Sequence, residues 1–187
     1  MTVQINTLFD EDAIATRVAA LAEEISQSKP ERLLVVAVLK GSFIFSADLV
    51  RAMHRAGLKP EMEFMHLSSY GAGTTGSNEI KILRDVESDV NGRDIILVDD
   101  ILESGRTLTF AKERLMERGA KSVKIAALLD KPDHRKVAIF ADYVGFACPD
   151  KFVVGYGMDM GHAWRQLPFI GYVVPDEDAG NGETVGD

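Results

Sequence analysis

Fourteen consecutive residues, Ile95 to Leu108, concentrate the chemistry of this chain. Ile95-Ile96-Leu97-Val98 runs straight into the carboxylates of Asp99, Asp100 and Glu103, and Ser104-Gly105-Arg106-Thr107-Leu108 follows. A buried strand that ends in acids and passes through a small-residue loop into a helix is a way to build an anion site in an α/β protein. The three carboxylates can hold hydroxyls or Mg²⁺. The backbone N–H groups from Glu103 to Thr107 can wrap a phosphate, helped by the hydroxyls of Ser104 and Thr107. Gly105 lets the backbone approach closely, and the helix start adds a favourable dipole contribution of about 0.3–1 kcal/mol. An ordinary turn would gain nothing from three carboxylates that repel one another.

Other segments carry weaker signals alone. Lys40-Gly41-Ser42 is a turn after an apolar run. Ser69 to Gly76 contains a literal G-x-G-x-x-G, a string that suggests a dinucleotide site only between a strand and a helix. Here the next residues, Glu79-Ile80-Lys81-Ile82, read as a strand, so the context fails. Lys131 follows one apolar run, and Phe152-Val153-Val154-Gly155-Tyr156-Gly157-Met158-Asp159 begins another. His54, His66, His134 and His162 have no metal-ligand spacing, and no G-x-x-x-x-G-K-[ST] is present.

The elements that must position these residues alternate between two periodicities. Ile14, Val18, Leu21, Ala22 and Ile25 fall at helical spacing between Asp10 and Gln27, with Asp10 or Asp12 as cap. Leu33 to Leu39 is apolar throughout, as expected of a strand covered on both faces. Phe43 to Ala56 reads as a helix ended by Gly57, Glu61 to Ser68 as a strand, Ser69 to Asn78 as a mobile loop and Ile80 to Leu83 as a return strand. Strands are predicted at Ile95–Asp99, Val123–Leu129, Tyr143–Phe146, Phe152–Tyr156 and Ile170–Val174, with a helix from Thr107 to Arg118 closed by Gly119. This alternation implies an α/β fold with a mostly parallel sheet and helices on both faces.

The 187 residues suit one domain, and 46% hydrophobic residues suffice for a core. Of the net charge of −8, the segment 176–187 accounts for −5 and is predicted to be a disordered acidic tail. The body is close to neutral with no basic stripe, which argues against nucleic-acid binding. Cys148 is the only cysteine, so no intrachain disulfide can form. Neither a signal peptide nor a membrane span of roughly 18–20 apolar residues is legible, and the expectation is a cytoplasmic protein.

The Ile95–Thr107 segment resembles the phosphoribosyl pyrophosphate (PRPP) signature of type I phosphoribosyltransferases: apolar strand, two acids, two apolar residues, an acid, Ser/Thr, Gly, Arg/Lys, Thr. Lys131, Phe152, Val153 and Asp159 narrow the resemblance to the hypoxanthine-guanine branch. It covers about Leu33 to Val174. The resemblance implies a twisted, mostly parallel sheet flanked by helices, with a small hood formed by the N- and C-terminal segments. It also implies a homo-oligomer, dimer or tetramer.

By resemblance, Asp99, Asp100, Glu103, Ser104, Gly105, Arg106 and Thr107 bind PRPP, and Glu103 is the general acid/base, standing where the family most often has Asp. Lys40, Gly41 and Arg165 would bind pyrophosphate, often through a strained or cis peptide between the Leu39 and Lys40 positions. Ser69 and Tyr70 would belong to a lid. Lys131 would meet the purine 6-oxo group, Phe152 would stack on the base and Val153 would receive its 2-amino group. Asp99, Asp100 and Asp159 would hold Mg²⁺. Met160-Gly161-His162-Ala163-Trp164 departs from the family's Tyr-x-Glu-x-Tyr/Phe, and Arg165-Gln166-Leu167-Pro168 returns to pattern. The implied reaction joins a 6-oxopurine to PRPP. A xanthine-preferring relative and a PRPP-sensing regulator without catalysis are the alternatives.

Overall fold

The computed structural model describes residues 4–70 and 79–174. Chain order is β1 (Gln4–Phe9), α1 (Glu11–Gln27), β2 (Leu34–Leu39), α2 (Phe43–Arg55), β3 (Glu61–Tyr70), β4 (Glu79–Arg84) and β5 (Asp94–Leu102), then α3 (Arg106–Glu117), β6 (Ser122–Asp130), β7 (Tyr143–Ala147), β8 (Val153–Val154) and β9 (Ile170–Val174). Six strands form a sheet in the order β4-β3-β2-β5-β6-β7. Every pairing in it is parallel except β3 with β4.

The apolar runs divide by parity, as residues on a strand must. Val35, Ala37, Ile96 and Val98 pack with α1 and α2, while Leu34, Val36, Val38, Ile95 and Leu97 pack with Leu108, Ala111 and Leu115 of α3. Register supports this, because Val35 lies beside Ile96 and Ala37 beside Val98. The central strands are therefore buried on both faces. α1 begins at Asp10, whose side chain accepts a hydrogen bond from the Ala13 N–H at 2.8 Å, the N-cap arrangement.

The chain winds outward in two directions from the centre: β2, α2 and β3 run one way, and β5, α3 and β6 the other. The carboxyl ends of β2 and β5 thus flank a topological switch point, where open α/β sheets bind ligands.

A second, antiparallel sheet, β1-β9-β8, forms the expected hood from both ends of the described chain. Its strand β1 has no counterpart in the sequence reading. Several boundaries differ as well, among them that of β3, which runs on to Tyr70 and takes Ser69 and Tyr70 out of the predicted loop. β5 continues past the acids to Leu102, pairing with β6 as far as Asp130, so Asp99 and Asp100 lie within the strand. α3 starts at Arg106, directly after Gly105 in the left-handed region at φ 82°. β8 is two residues long, because Gly155, Tyr156 and Gly157 all take positive φ and turn the chain away. The predicted tail 176–187 and loop residues 71–78 lie outside the described residues.

Candidate active site

Three strand ends converge. The first is β2, which closes in the Lys40-Gly41-Ser42 turn. The Leu39–Lys40 peptide is cis, as the resemblance implies. Ser42 is buried and donates its hydroxyl to the Val38 carbonyl at 2.5 Å. The turn abuts β5 so closely that a Cβ on Gly41 would overlap the Asp100 carboxylate.

The second is β5 and its loop. Asp99 is 8% exposed. Burial, and then the negative charge of Asp100, push its carboxyl well above the usual range. Burial also raises Asp100, opposed by its bond from the Ile101 N–H and by the positive charge of Arg165. Two desolvated acids side by side are poised for a cationic or hydroxyl-bearing ligand. The loop beyond them borders a cleft of about 230 Å³ lined by Asp99, Glu103, Ser104, Gly105 and Thr107. It is braced from outside, where the Ser104 carbonyl accepts from the Lys136 and Val137 N–H groups. A Cβ on Gly105 would crowd Ile139, only 2.5 Å away. Arg106, at the first position of α3, is exposed.

The third is β6. The Lys131 N–H donates to the Leu102 carbonyl at 3.0 Å, which ties the lysine to the phosphate loop. Its side chain is buried, yet the ammonium has acceptors: it donates to the Lys151 carbonyl at 2.6 Å and lies 4.0 Å from Glu103 Oε1. Glu103 itself is half exposed. Its carboxylate comes to the edge of ion-pair distance from the lysine.

The hood closes the arrangement. Phe152 is 57% exposed, free on one face to stack, while Val153 is buried. The following turn packs onto the β2 turn, where a Cβ on Gly157 would overlap the Gly41 carbonyl oxygen. Arg165 donates to the Gly157 carbonyl at 2.6 Å and pairs with Asp159 at 2.6 Å. Asp159 also accepts from the His162 N–H at 2.8 Å. Lys40, Gly41, Asp99, Asp100, Glu103 to Thr107, Lys131, Phe152, Val153, Asp159 and Arg165 therefore lie on the three strand ends and the hood turn that meets them. Ser69 and Tyr70 end β3, paired with Ile80 and Glu79. The rest of that loop lies outside the described residues.

Three contacts escaped the sequence reading. The Tyr156 hydroxyl donates to Asp48 of α2 at 2.6 Å. Burial, and then that bond, push the phenol well up. Asp48 also pairs with Arg51. The Lys151 carbonyl and the Lys136 brace are backbone groups with no side-chain signature. Only the glycines around Tyr156 hinted at a tight turn. A larger cavity, about 350 Å³, lies between α1, α2 and Leu167–Pro168 and shares no lining residue with the acidic cleft.

The Phosphoribosyl transferase domain family profile matches residues 4–160. The chain is 44% identical to the hypoxanthine-guanine phosphoribosyltransferase of Bacillus subtilis, over 90% of this chain and 92% of that one. It is 46% identical to the bifunctional protein TilS/HprT of Listeria innocua, over 90% of this chain but 26% of the relative, so it spans about a quarter of that protein's length. Among solved structures, a hypoxanthine-guanine phosphoribosyltransferase from Bacillus anthracis superposes with a TM-score of 0.85 at 41% identity, covering 92% of this chain and 100% of that one.

Proposed function

We propose that this chain, which belongs to the phosphoribosyltransferase family, is a purine-salvage enzyme that converts PRPP and hypoxanthine or guanine into IMP or GMP and pyrophosphate. One observation carries the reading: a braced phosphate-sized loop and a buried lysine meet at one carboxylate, Glu103, 4.0 Å from Lys131 Nζ. The similarity to relatives named for hypoxanthine and guanine supports the same substrate class.

In this reading the N–H groups and hydroxyls of Glu103 to Thr107 bind the 5′-phosphate, and Asp99 and Asp100 accept from the ribose hydroxyls. Lys40, Gly41 and Arg165 hold the diphosphate. Lys131 donates to the purine 6-oxo group, Phe152 covers the ring face and the Val153 segment receives a 2-amino group. The purine N9 attacks C1′ as the bond from C1′ to the diphosphate oxygen breaks, with inversion. Glu103 accepts the N7 proton. Positive charge on the loosening ribose is met by carboxylates already desolvated and in place. Ser69 and Tyr70, at the end of β3 where the proposed lid begins, would help keep water from the sugar cation.

The adjacent carboxylates Asp99 and Asp100 offer hard oxygens that fit one Mg²⁺, and Asp159 would hold a second; among the described residues no three metal-binding side chains cluster. Mg²⁺ is commonly held by one or two carboxylates plus substrate phosphates, and here it would neutralise the leaving diphosphate. The family resemblance further supports a homo-oligomer, dimer or tetramer, to be read by sedimentation. No described helix is long and apolar enough to cross a membrane, which is compatible with the proposed cytoplasmic location.

Substitution Glu103→Gln tests the reading. The expected loss of turnover is about 10²–10⁴-fold, the usual worth of acid–base catalysis, with PRPP binding retained. A loss below about tenfold would remove Glu103 from the reaction.

A further inference from the structure

The ammonium that selects the purine is aimed by a carbonyl, and that carbonyl is held by the hood. Lys131 Nζ donates to the Lys151 carbonyl at 2.6 Å. Lys151 lies on the surface before β8, in a stretch with little packing of its own, since both Lys151 and Phe152 are exposed. The Lys151 N–H donates to the Pro149 carbonyl at 2.7 Å within the same loop, and two contacts fasten the stretch to the hood. The Phe152 carbonyl accepts from the Val173 N–H at 3.0 Å. The Lys151 ammonium sits 3.5 Å from the centroid of the Tyr172 ring, a close cation–π contact. Tyr172 is itself fixed, since it pairs in register with Val153 on one side and Asn6 on the other. Its phenol oxygen also accepts from the Asn6 amide at 3.3 Å.

We propose that Tyr172 is a positioning residue for purine recognition: its ring grips the Lys151 ammonium and so fixes the carbonyl that aims Lys131. The inference rests on the proposed transferase function. Its physical content is a choice between acceptors. Lys131 Nζ has the Lys151 carbonyl at 2.6 Å and the Glu103 carboxylate at 4.0 Å. With the carbonyl held, the ammonium keeps a donor for the base. With it released, the nearest strong attraction is Glu103, and a lysine paired there no longer presents itself to a 6-oxo group. In the proposed arrangement PRPP meets Glu103 through its backbone N–H and touches neither the Lys131 nor the Lys151 side chain, so the loss falls on the purine side.

Steady-state kinetics with hypoxanthine, adenine and PRPP on the intact chain test this, with Tyr172→Leu, Tyr172→Phe, Lys151→Met and the Tyr172→Leu/Lys151→Met pair. Tyr172→Leu and Lys151→Met should each raise KM for hypoxanthine about fivefold to thirtyfold, the effect of disturbing one charged hydrogen bond. The preference for hypoxanthine over adenine should fall with it, and KM for PRPP should stay within about twofold. Tyr172→Phe keeps the ring and should restore the wild-type KM. The double variant should be no worse than either single one, because both break the same contact. Lys151→Met changes only an exposed side chain, so its result stands even if Tyr172→Leu folds poorly. Equal rises in KM for purine and PRPP, an unchanged purine KM in Lys151→Met, or multiplicative effects in the pair would overturn the inference. A wild-type chain that turns over no purine would instead overturn the transferase reading, and the inference with it.

Discussion

Gly157→Ala is the substitution whose consequence can be worked furthest from the structure. Gly157 has φ of +105°, where a residue with a side chain is strained by about 1–3 kcal/mol. A Cβ there would overlap the Gly41 carbonyl oxygen and stand 3.3 Å from the carbonyl carbon and 3.7 Å from the Ile44 nitrogen. Ordinary contact requires the two turns to part by about 1 Å, and overpacking of this kind adds about 1–3 kcal/mol. The expected loss of stability is thus about 2–6 kcal/mol by urea denaturation. The catalytic effect is separate. Gly41 touches Asp100, and Arg165 donates to the Gly157 carbonyl, so parting the turns moves both the proposed diphosphate contacts and one of the ribose acids. A misplacement near 1 Å can lower rates by about 10²-fold, so kcat/KM for PRPP should fall about tenfold to a hundredfold. Gly57→Ala is the control: its φ is +85° but no atom lies within 4 Å of the added Cβ. It should cost about 1–2 kcal/mol and leave kcat/KM unchanged. A folded Gly157→Ala enzyme with kcat/KM for PRPP within about twofold of wild type would refute the argument.

Lys131 as a donor leaves the amino group of adenine badly matched, and a buried donor without a partner costs about 1–3 kcal/mol. Adenine should therefore be converted about tenfold to a hundredfold less efficiently than hypoxanthine. Lys131→Gln, which adds an acceptor, should narrow the ratio, and equal conversion of adenine by the wild type would contradict this assignment. Arg93 tests the scaffold instead. Its buried guanidinium donates to the Arg32 carbonyl at 3.0 Å, to Glu61 at 2.8 Å and to the Leu33 carbonyl at 3.3 Å. Arg93→Met takes this donor from the Arg32 carbonyl and the ion pair from Glu61, while the Leu33 carbonyl keeps the Glu61 N–H at 3.1 Å, and it should cost about 1–3 kcal/mol in denaturation experiments. It should leave kcat unchanged, because Arg93 lies where β5 begins, at the end of the sheet opposite the acids.

The parts of the fold legible in the sequence are those governed by local pattern. The runs Leu34–Leu39 and Ile95–Val98 announced strands buried on both faces, and the spacing of Ile14, Val18, Leu21 and Ile25 announced α1. What local pattern cannot carry is partnership across the chain. β1 is half exposed, and it becomes a strand only because β9, more than 160 residues away, pairs with it. The same limit applies to the site. The run from Asp99 to Thr107 carries a signature because its chemistry is contiguous. Lys131 and Phe152 gained meaning only from resemblance to the family. The bond from Tyr156 to Asp48 and the grip of Tyr172 on Lys151 join side chains that are unremarkable where they stand, and only the folded hood brings them together. Glu103 shows the reverse case: its departure from the family's Asp is plain in the sequence, and the structure adds its neighbour, Lys131 at 4.0 Å.

The most direct test of the account is calorimetric titration of the intact chain with PRPP in excess Mg²⁺, with circular dichroism verifying that the protein is folded. The account predicts saturable uptake of one PRPP per chain, weakened when Mg²⁺ is chelated. Absence of uptake by folded protein at saturating Mg²⁺ would contradict it.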